Sequence, residues 1–285
     1  MKRKPGYGDV PEGFDAYDSS EIVIMPVPYD ETSTWMKGAD RGPDAIIEAS
    51  WNMYLYDIET DLEVYRRGIH TDGPVREKAT PEEMVRAVRE RAARHLGANK
   101  FLVTVGGEHS VTVGAVQAHA EHYDNLSVLQ LDAHADLQNE FNGSRYNHAC
   151  AMARVRELCP VVHVGIRSMD AGERAAAEPG HVFYAEEIQG RDEWMDRAVG
   201  LLSEQVYVSI DLDAFDTSIM PATGTPEPGG LSWYDVISLL KKVTGSRRVV
   251  GFDVVELCPH PYSKHADYLA AKLIYRLLSL VFTSR

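Results

Sequence analysis

The sequence predicts a three-layer α/β/α sandwich built on a mostly parallel central sheet. Three observations carry this: six short apolar runs rich in β-branched residues, their near-continuous hydrophobicity, and the helix-period segments between them. Strands buried on both faces read as unbroken apolar runs, whereas a half-exposed antiparallel strand alternates.

The runs cover residues 22–27, 101–105, 126–131, 161–166, 206–210 and 249–254. Between the first two, Thr80 stands before Pro81 and three residues ahead of Glu83, which predicts a capped helix start with proline at its first position. Met84, Val88, Ala92 and Leu96 form its apolar stripe, and Gly97 can close it. Ser232 and Asp235 predict a second cap, ahead of a helix running to Gly245. The last helix carries Leu269, Leu273, Leu277 and Leu280 on one face, with Lys272 and Arg276 placed elsewhere. With no repeat, linker or low-complexity tract, residues 1–285 read as a single domain.

Composition narrows the function. The 285 residues are 44% hydrophobic and 25% charged, which suits a globular chain with a sizeable core. A net charge of -14 argues against nucleic acid, whose phosphates need a basic footprint. It suits a cationic substrate weakly, since surface acidity commonly serves solubility. Cys150, Cys159 and Cys258 are odd in number and lack a CxxC spacing, so they read as reduced thiols in a cytoplasmic protein. Met1-Lys2-Arg3-Lys4 is followed by no apolar stretch and does not read as a signal peptide. No run approaches the ~20 apolar residues of a membrane span.

Acidic and histidine residues cluster behind four of the predicted strands. Gly106-Gly107-Glu108-His109-Ser110 follows the second run and Asp132-Ala133-His134-Ala135-Asp136 the third. Asp211-Leu212-Asp213 follows the fifth and Glu256 the sixth. Parallel sheets bind ligands at the carboxyl ends of their strands, so these segments converge on one crevice. In an extended stretch residues i, i+2 and i+4 share a side, which lets Asp132, His134 and Asp136 face one centre and Asp211 and Asp213 join them. Two glycines before His109 allow a sharp turn and close backbone approach. Packed together, the aspartates would repel and raise one another's pKa values, and two divalent cations cancel that charge. Six ligands for two ions require sharing, and Asp132 and Asp211 are the expected bridges. Carboxylates and imidazoles without thiolates favour a hard or borderline ion such as manganese. Alone, an Asp-x-Asp is commonly a solvated turn and a Gly-Gly-x-His a loop; three such pieces behind buried strands point to metal.

Among the remaining histidines, His163 lies in a strand and reads as a packed residue. His119 and His122 read as helical and near the surface, and His95 as helical without acidic partners at helical spacing. His148 ends a polar loop leaving the second acidic motif and reads as an active-site residue.

With these motifs the sequence resembles the ureohydrolases, the family of arginases and agmatinases, and prokaryotic agmatinases in particular. The likeness rests on Gly106-Gly107-Glu108-His109-Ser110, on Asp132 to Asp136, and on Ser209-Ile210-Asp211-Leu212-Asp213-Ala214-Phe215-Asp216 continuing through Pro221 to Gly230. Gly42-Pro43-Asp44-Ala45-Ile46 matches the family's start. The resemblance implies an arginase-like fold and two Mn2+ per chain, one held by His109, Asp132, Asp136 and Asp211, the other by Asp132, His134, Asp211 and Asp213. It implies hydroxide attack on a guanidinium carbon and release of urea. Asp136 would carry a proton to the leaving amine, His148 would exchange protons with solvent, and Glu256 would bind the guanidinium. It also implies a homo-oligomer, a trimer or hexamer.

Two departures stand out: Glu108 where Asp is common and Ala222 where Gly is common. The loop from Gln138 to His148 lacks the Ser/Asn-rich pattern of arginases, and His148-Ala149-Cys150-Ala151-Met152 is similar to agmatinases. The expected substrate is therefore agmatine, cleaved to putrescine and urea, with N-aminopropylagmatine a close variant. Glu140 is a candidate to attract the distal ammonium. The competing readings are a guanidino acid such as guanidinobutyrate, or arginine, whose carboxylate Arg145 or Arg167 would pair, and a non-catalytic metal-binding or regulatory relative.

Overall fold

A computed structural model describes residues 5–283; Met1 to Lys4, with the basic start discussed above, lies outside them. Eight strands form one sheet: β1 (Ile22–Val27), β2 (Ile69–Thr71), β3 (Phe101–Gly106), β4 (Leu126–Leu131), β5 (Val161–Ile166), β6 (Val182–Tyr184), β7 (Gln205–Asp211) and β8 (Arg248–Val255). Their order is β2-β1-β3-β8-β7-β4-β5-β6, and every pairing is parallel. All six predicted strands are present. The two that the sequence did not reveal, β2 and β6, are three-residue edge strands, too short to carry a pattern.

The helices are α1 (Gly42–Ser50), α2 (Pro81–Gly97), α3 (Val111–His122), α4 (Ala151–Val155), α5 (Ala171–Ala176), α6 (Ala185–Ile188), α7 (Glu193–Leu201), α8 (Trp233–Ser246) and α9 (His265–Thr283). The predicted caps form: the Thr80 hydroxyl accepts the Glu83 N–H, and Ser232 with Asp235 makes a reciprocal capping box. Helices α2, α3 and α4 cover one face of the sheet and α1, α7, α8 and α9 the other, giving two apolar clusters. The strands feed them alternately: Val23, Met25 and Val27 join the first, Ile22 and Ile24 the second.

Three residues read as peripheral are buried. His119 on α3 packs edge-on against Tyr207, and its Nδ1 bonds the Ala115 carbonyl. His95 reaches Asp72 at 3.0 Å, a partner supplied by the loop after β2 and hidden from any helical spacing. Arg276 points inward from α9 and pairs with Asp57 and Glu59. Asp57 is buried too, so Arg276→Leu strands its charge. The expected cost is about 3–5 kcal/mol, a melting-temperature fall on the order of 10 °C in a thermal scan.

Candidate metal centre

The four strands that carry the acidic and histidine motifs, β3, β8, β7 and β4, are adjacent in the sheet, so their carboxyl ends meet as the sequence predicts. Gly107 sits where the chain bends after β3 and allows close approach: a Cβ there would lie 1.8 Å from the Tyr29 carbonyl oxygen. Asp132 and His134 follow β4, with a bend at Ala133 and the His134 N–H donating to Asp132 Oδ1. The chain then turns, with Asp136 at φ 53°, and this left-handed residue aims its carboxylate back at His109. Glu256 also sits at positive φ, 66°, just past β8. Two non-glycine residues in that region, both at one site, mark backbone held in place by its surroundings.

Two donor groups form. His109, Asp132 and Asp211 offer ligand atoms within 4.8 Å of one another, and so do Asp132, His134 and Asp213. Asp132 belongs to both: Oδ2 lies 3.1 Å from His109 Nδ1 and Oδ1 lies 3.6 Å from His134 Nδ1. Asp211 belongs to the first, because its Oδ1 turns to accept the Asp213 N–H at 2.9 Å. Asp136 Oδ2 approaches His109 Nδ1 to 2.8 Å, and Asp213 Oδ2 approaches His134 Nδ1 to 2.9 Å.

The donor set fits divalent cations. His109 Nδ1 is fully buried and makes no hydrogen bond of good geometry, although three carboxylates surround it. Its other nitrogen, Nε2, bonds Ser209 Oγ at 3.0 Å, and Ser209 in turn donates to Asp253 at 2.8 Å. Tyr207 donates to the other Asp253 oxygen. This chain fixes the imidazole with Nδ1 facing the acidic centre, the usual support behind a metal-binding histidine. Asp253 thus supports His109 through Ser209.

The electrostatics agree. Burial, then Asp213 and Asp132, hold Asp211 well above the usual carboxylate range. Burial and the neighbouring Asp132 push Asp136 to about 6. Burial works against charge on His134, yet Asp132 and Asp213 push it up to about 12. Without a cation, this cluster balances its charge by holding protons.

Three residues border the centre. Glu256 accepts the His109 N–H through Oε1 at 2.6 Å, while Oε2 lies near Gly224 at the cleft. His148 is held by Thr32, whose Oγ1 accepts the His148 N–H at 2.9 Å and lies 3.3 Å from Nδ1. Burial depresses the His148 imidazole to about 4, so it is neutral at neutral pH. Glu108, the departure from the family pattern, is fully buried and accepts from the N–H groups of Thr32 and Ser33 and the hydroxyls of Thr32 and Ser110. It anchors the loop that holds His148.

The centre opens into a cleft of about 310 Å³ whose far end is lined by Gln138, Phe141, Met169, Asp170 and Glu173. Among the described residues no Lys or Arg lines it. Arg167 donates instead to the carbonyls of Gly165, Asp213 and Glu227, and Arg145 pairs with Glu157 at the surface. Glu140 is exposed and does not line the cleft; Asp170 and Glu173 are the acids that do. Sequence reasoning missed both, though they follow β5 as the other site residues follow their strands. Their spacing is that of the capping box that opens α5, which accounts for both residues without the cleft. Gly165, at φ 91°, breaks the register of β5, so Val164 and Ile166 face opposite layers.

Among the described residues all three cysteines are free thiols, and no helix is long and apolar enough to cross a membrane. A family model described as the arginase family matches residues 20–279. The chain is 43% identical over 268 residues to an N(1)-aminopropylagmatine ureohydrolase of Thermus thermophilus, covering 93% of this chain and 91% of that one. It is 33% identical to the agmatinase of Pyrococcus horikoshii, with 92% of each covered. The crystal structure of the agmatine ureohydrolase of Thermoplasma volcanium aligns with a TM-score of 0.84 at 28% identity, over 94% of this chain and 92% of that one. A match over nearly the whole length, on a fold that brings the acidic and histidine motifs together, establishes that the chain belongs to the arginase family and is a hydrolase of C–N bonds in linear amidines.

Proposed function

We propose that the chain releases urea from a guanidino compound with a cationic alkylamine tail, using two manganese ions at the centre described above. One observation carries the substrate class: the cleft beyond the centre presents Asp170 and Glu173 and, among the described residues, no Lys or Arg. A carboxylate-tailed substrate would meet two acids there, and the arginines that would have paired with it are bonded elsewhere. Glu173 is buried and its oxygens take the Leu137 and Asp170 N–H groups, so it fixes the geometry of the acidic end. Asp170 is exposed and retains free acceptor capacity for an ammonium. Agmatine and N1-aminopropylagmatine both carry such a tail. The relative at 43% identity favours the longer one, whose secondary ammonium lies within the same extended chain.

His109, Asp132, Asp136 and Asp211 would hold one ion, and Asp132, His134, Asp211 and Asp213 the other. Divalent ions supply a water-derived nucleophile at neutral pH by lowering the pKa of water to about 7. The protein's own groups do the rest. Glu256 receives the guanidinium and orients it by charge-assisted hydrogen bonds. Asp136, beside His109, passes a proton to the departing amine. His148, neutral at the cleft wall, exchanges protons between the site and solvent.

Urea release from N1-aminopropylagmatine, agmatine, arginine and guanidinobutyrate tests the reading. The two alkylamines should dominate kcat/KM, with the aminopropyl compound preferred; turnover of the acids alone would overturn it. His148→Ala should bind manganese normally and lower kcat by about 10²-fold at neutral pH. Unchanged kinetics would remove His148 from the mechanism.

A further inference from the structure

A polar row crosses the apolar sheet beneath the metal centre. Thr104, Asp253, Ser209, Gln130 and His163 stand opposite one another on five adjacent strands, β3, β8, β7, β4 and β5. All five are buried. Their neighbours two residues back, Leu102, Val128, Val161 and Tyr207, belong to the cluster under α2, α3 and α4, so the row faces that layer. Burying polar groups in such a layer is costly unless they are bonded, and the bonds that four of the five make each have a direction. The Ser209–Asp253 half supports His109, as described above. The other half has no role in the mechanism so far.

Gln130 Nε2 donates to Asp132 Oδ2 at 2.7 Å and lies 3.2 Å from the His134 carbonyl oxygen. Both partners are acceptors, so the amide must present its NH2 group to them. Its Oε1 then faces His163 Nδ1, and the two are in hydrogen-bond contact. An amide oxygen only accepts, so the His163 proton sits on Nδ1. Burial keeps this imidazole neutral, which leaves that one tautomer. On the far side, Asp132 Oδ1 accepts the His134 N–H at 2.6 Å. Each oxygen of the shared carboxylate is therefore held by one N–H and keeps one acceptor direction for its own donor group.

We propose that His163 and Gln130 are a positioning pair for Asp132: His163 fixes the amide of Gln130, and the amide fixes how the shared carboxylate faces the two donor groups. Reversing the amide would set its oxygen against the carboxylate, and the His163 N–H prevents this. The pair lies behind the ligands and touches no substrate, so it acts on metal affinity rather than on the chemical step. The proposal rests on the two-ion reading of the site.

Four full-length proteins, metal-free and titrated with Mn2+ by calorimetry, test it: wild type, Gln130→Leu, His163→Phe and His163→Asn. Asparagine places an amide N–H where Nδ1–H stood; phenylalanine keeps the ring and removes the donor. Gln130→Leu and His163→Phe should weaken manganese binding about 10–100-fold. His163→Asn should stay within about threefold of wild type. The low-temperature electron paramagnetic resonance signal of a coupled manganese pair should follow the same order, and kcat at saturating manganese should recover. Wild-type affinity in both Gln130→Leu and His163→Phe would overturn the pair, as would a His163→Asn protein as weak as His163→Phe. Should His163→Phe fail to fold, Gln130→Leu alone decides, by the same affinity criterion. A wild-type chain that takes up no manganese sinks the two-ion reading and this proposal with it; uptake by wild type with unaffected variants sinks the pair alone.

Discussion

Asp132→Ala should leave the chain folded and unable to hold the metal pair. Asp132 is the residue present in both donor groups, so its loss removes a ligand from each and the negative charge between them. Metal analysis of the purified variant should find well under one manganese per chain, and urea release should fall by at least about 10³-fold, the scale set by losing a principal electrostatic element of a site. Thermal scans separate this from misfolding. Manganese at a hundred times its dissociation constant stabilises a folded chain by ~2.7 kcal/mol. The wild-type melting temperature should therefore rise on adding manganese, and that of Asp132→Ala should not move. Proton release gives a second check. Asp136, pushed to about 6, and His134, held protonated up to about 12, must both give up protons to act as ligands. Binding should release protons, seen as a buffer-dependent binding enthalpy, and weaken as pH falls through 6. A buffer-independent enthalpy would show that the cluster is not protonated in the metal-free chain.

Glu256→Gln should lower kcat/KM for the guanidino substrate about 10²-fold, close to 2.7 kcal/mol, the scale of a hydrogen bond to a charged group. The variant is informative because glutamine keeps an oxygen for the His109 N–H, which Glu256 now binds at 2.6 Å. The backbone around His109 is thus preserved while the charge facing the guanidinium is lost. Manganese affinity should change by no more than a few-fold. A loss of metal equal to that of Asp132→Ala would mean that Glu256 supports the ligands instead of the substrate. A Glu256→Gln protein with unchanged kcat/KM would remove it from substrate binding.

Much of the site was legible because strand ends are legible. Each candidate ligand follows a buried apolar run, and in a parallel sheet such ends meet on one side. The caps at Thr80 and Ser232 were readable for a local reason, since a cap bonds within three residues. What escaped was non-local or too short. Strands β2 and β6 have three residues each and are defined by the neighbours they pair with. Arg276 and Asp57 are 219 positions apart, and His95 meets Asp72 from another element, so neither pairing leaves a periodic trace. Asp170 and Glu173 form the capping box that opens α5, a local role that gives no sign of the cleft, and Glu140, nearer the metal motif in sequence, faces solvent.

The sequence by itself determined the chemistry available to this protein: which carboxylates and imidazoles lie behind which strands, and hence that they gather at one end of a sheet. Only the tertiary structure decided how each of them faces. Asp132 divides its two oxygens between two donor groups, Asp211 turns one of its own to the backbone, and Asp136 and Glu256 reach the centre through left-handed turns. The physical reason is that each direction is set by particular hydrogen bonds: Gln130 and His134 hold Asp132 locally and Asp213 holds Asp211, but those partners are themselves fixed from other strands. The Gln130 amide is held by His163 of β5, and the His109 imidazole by Ser209 of β7. Parallel pairing brings these partners together from distant parts of the chain, and no local pattern records it.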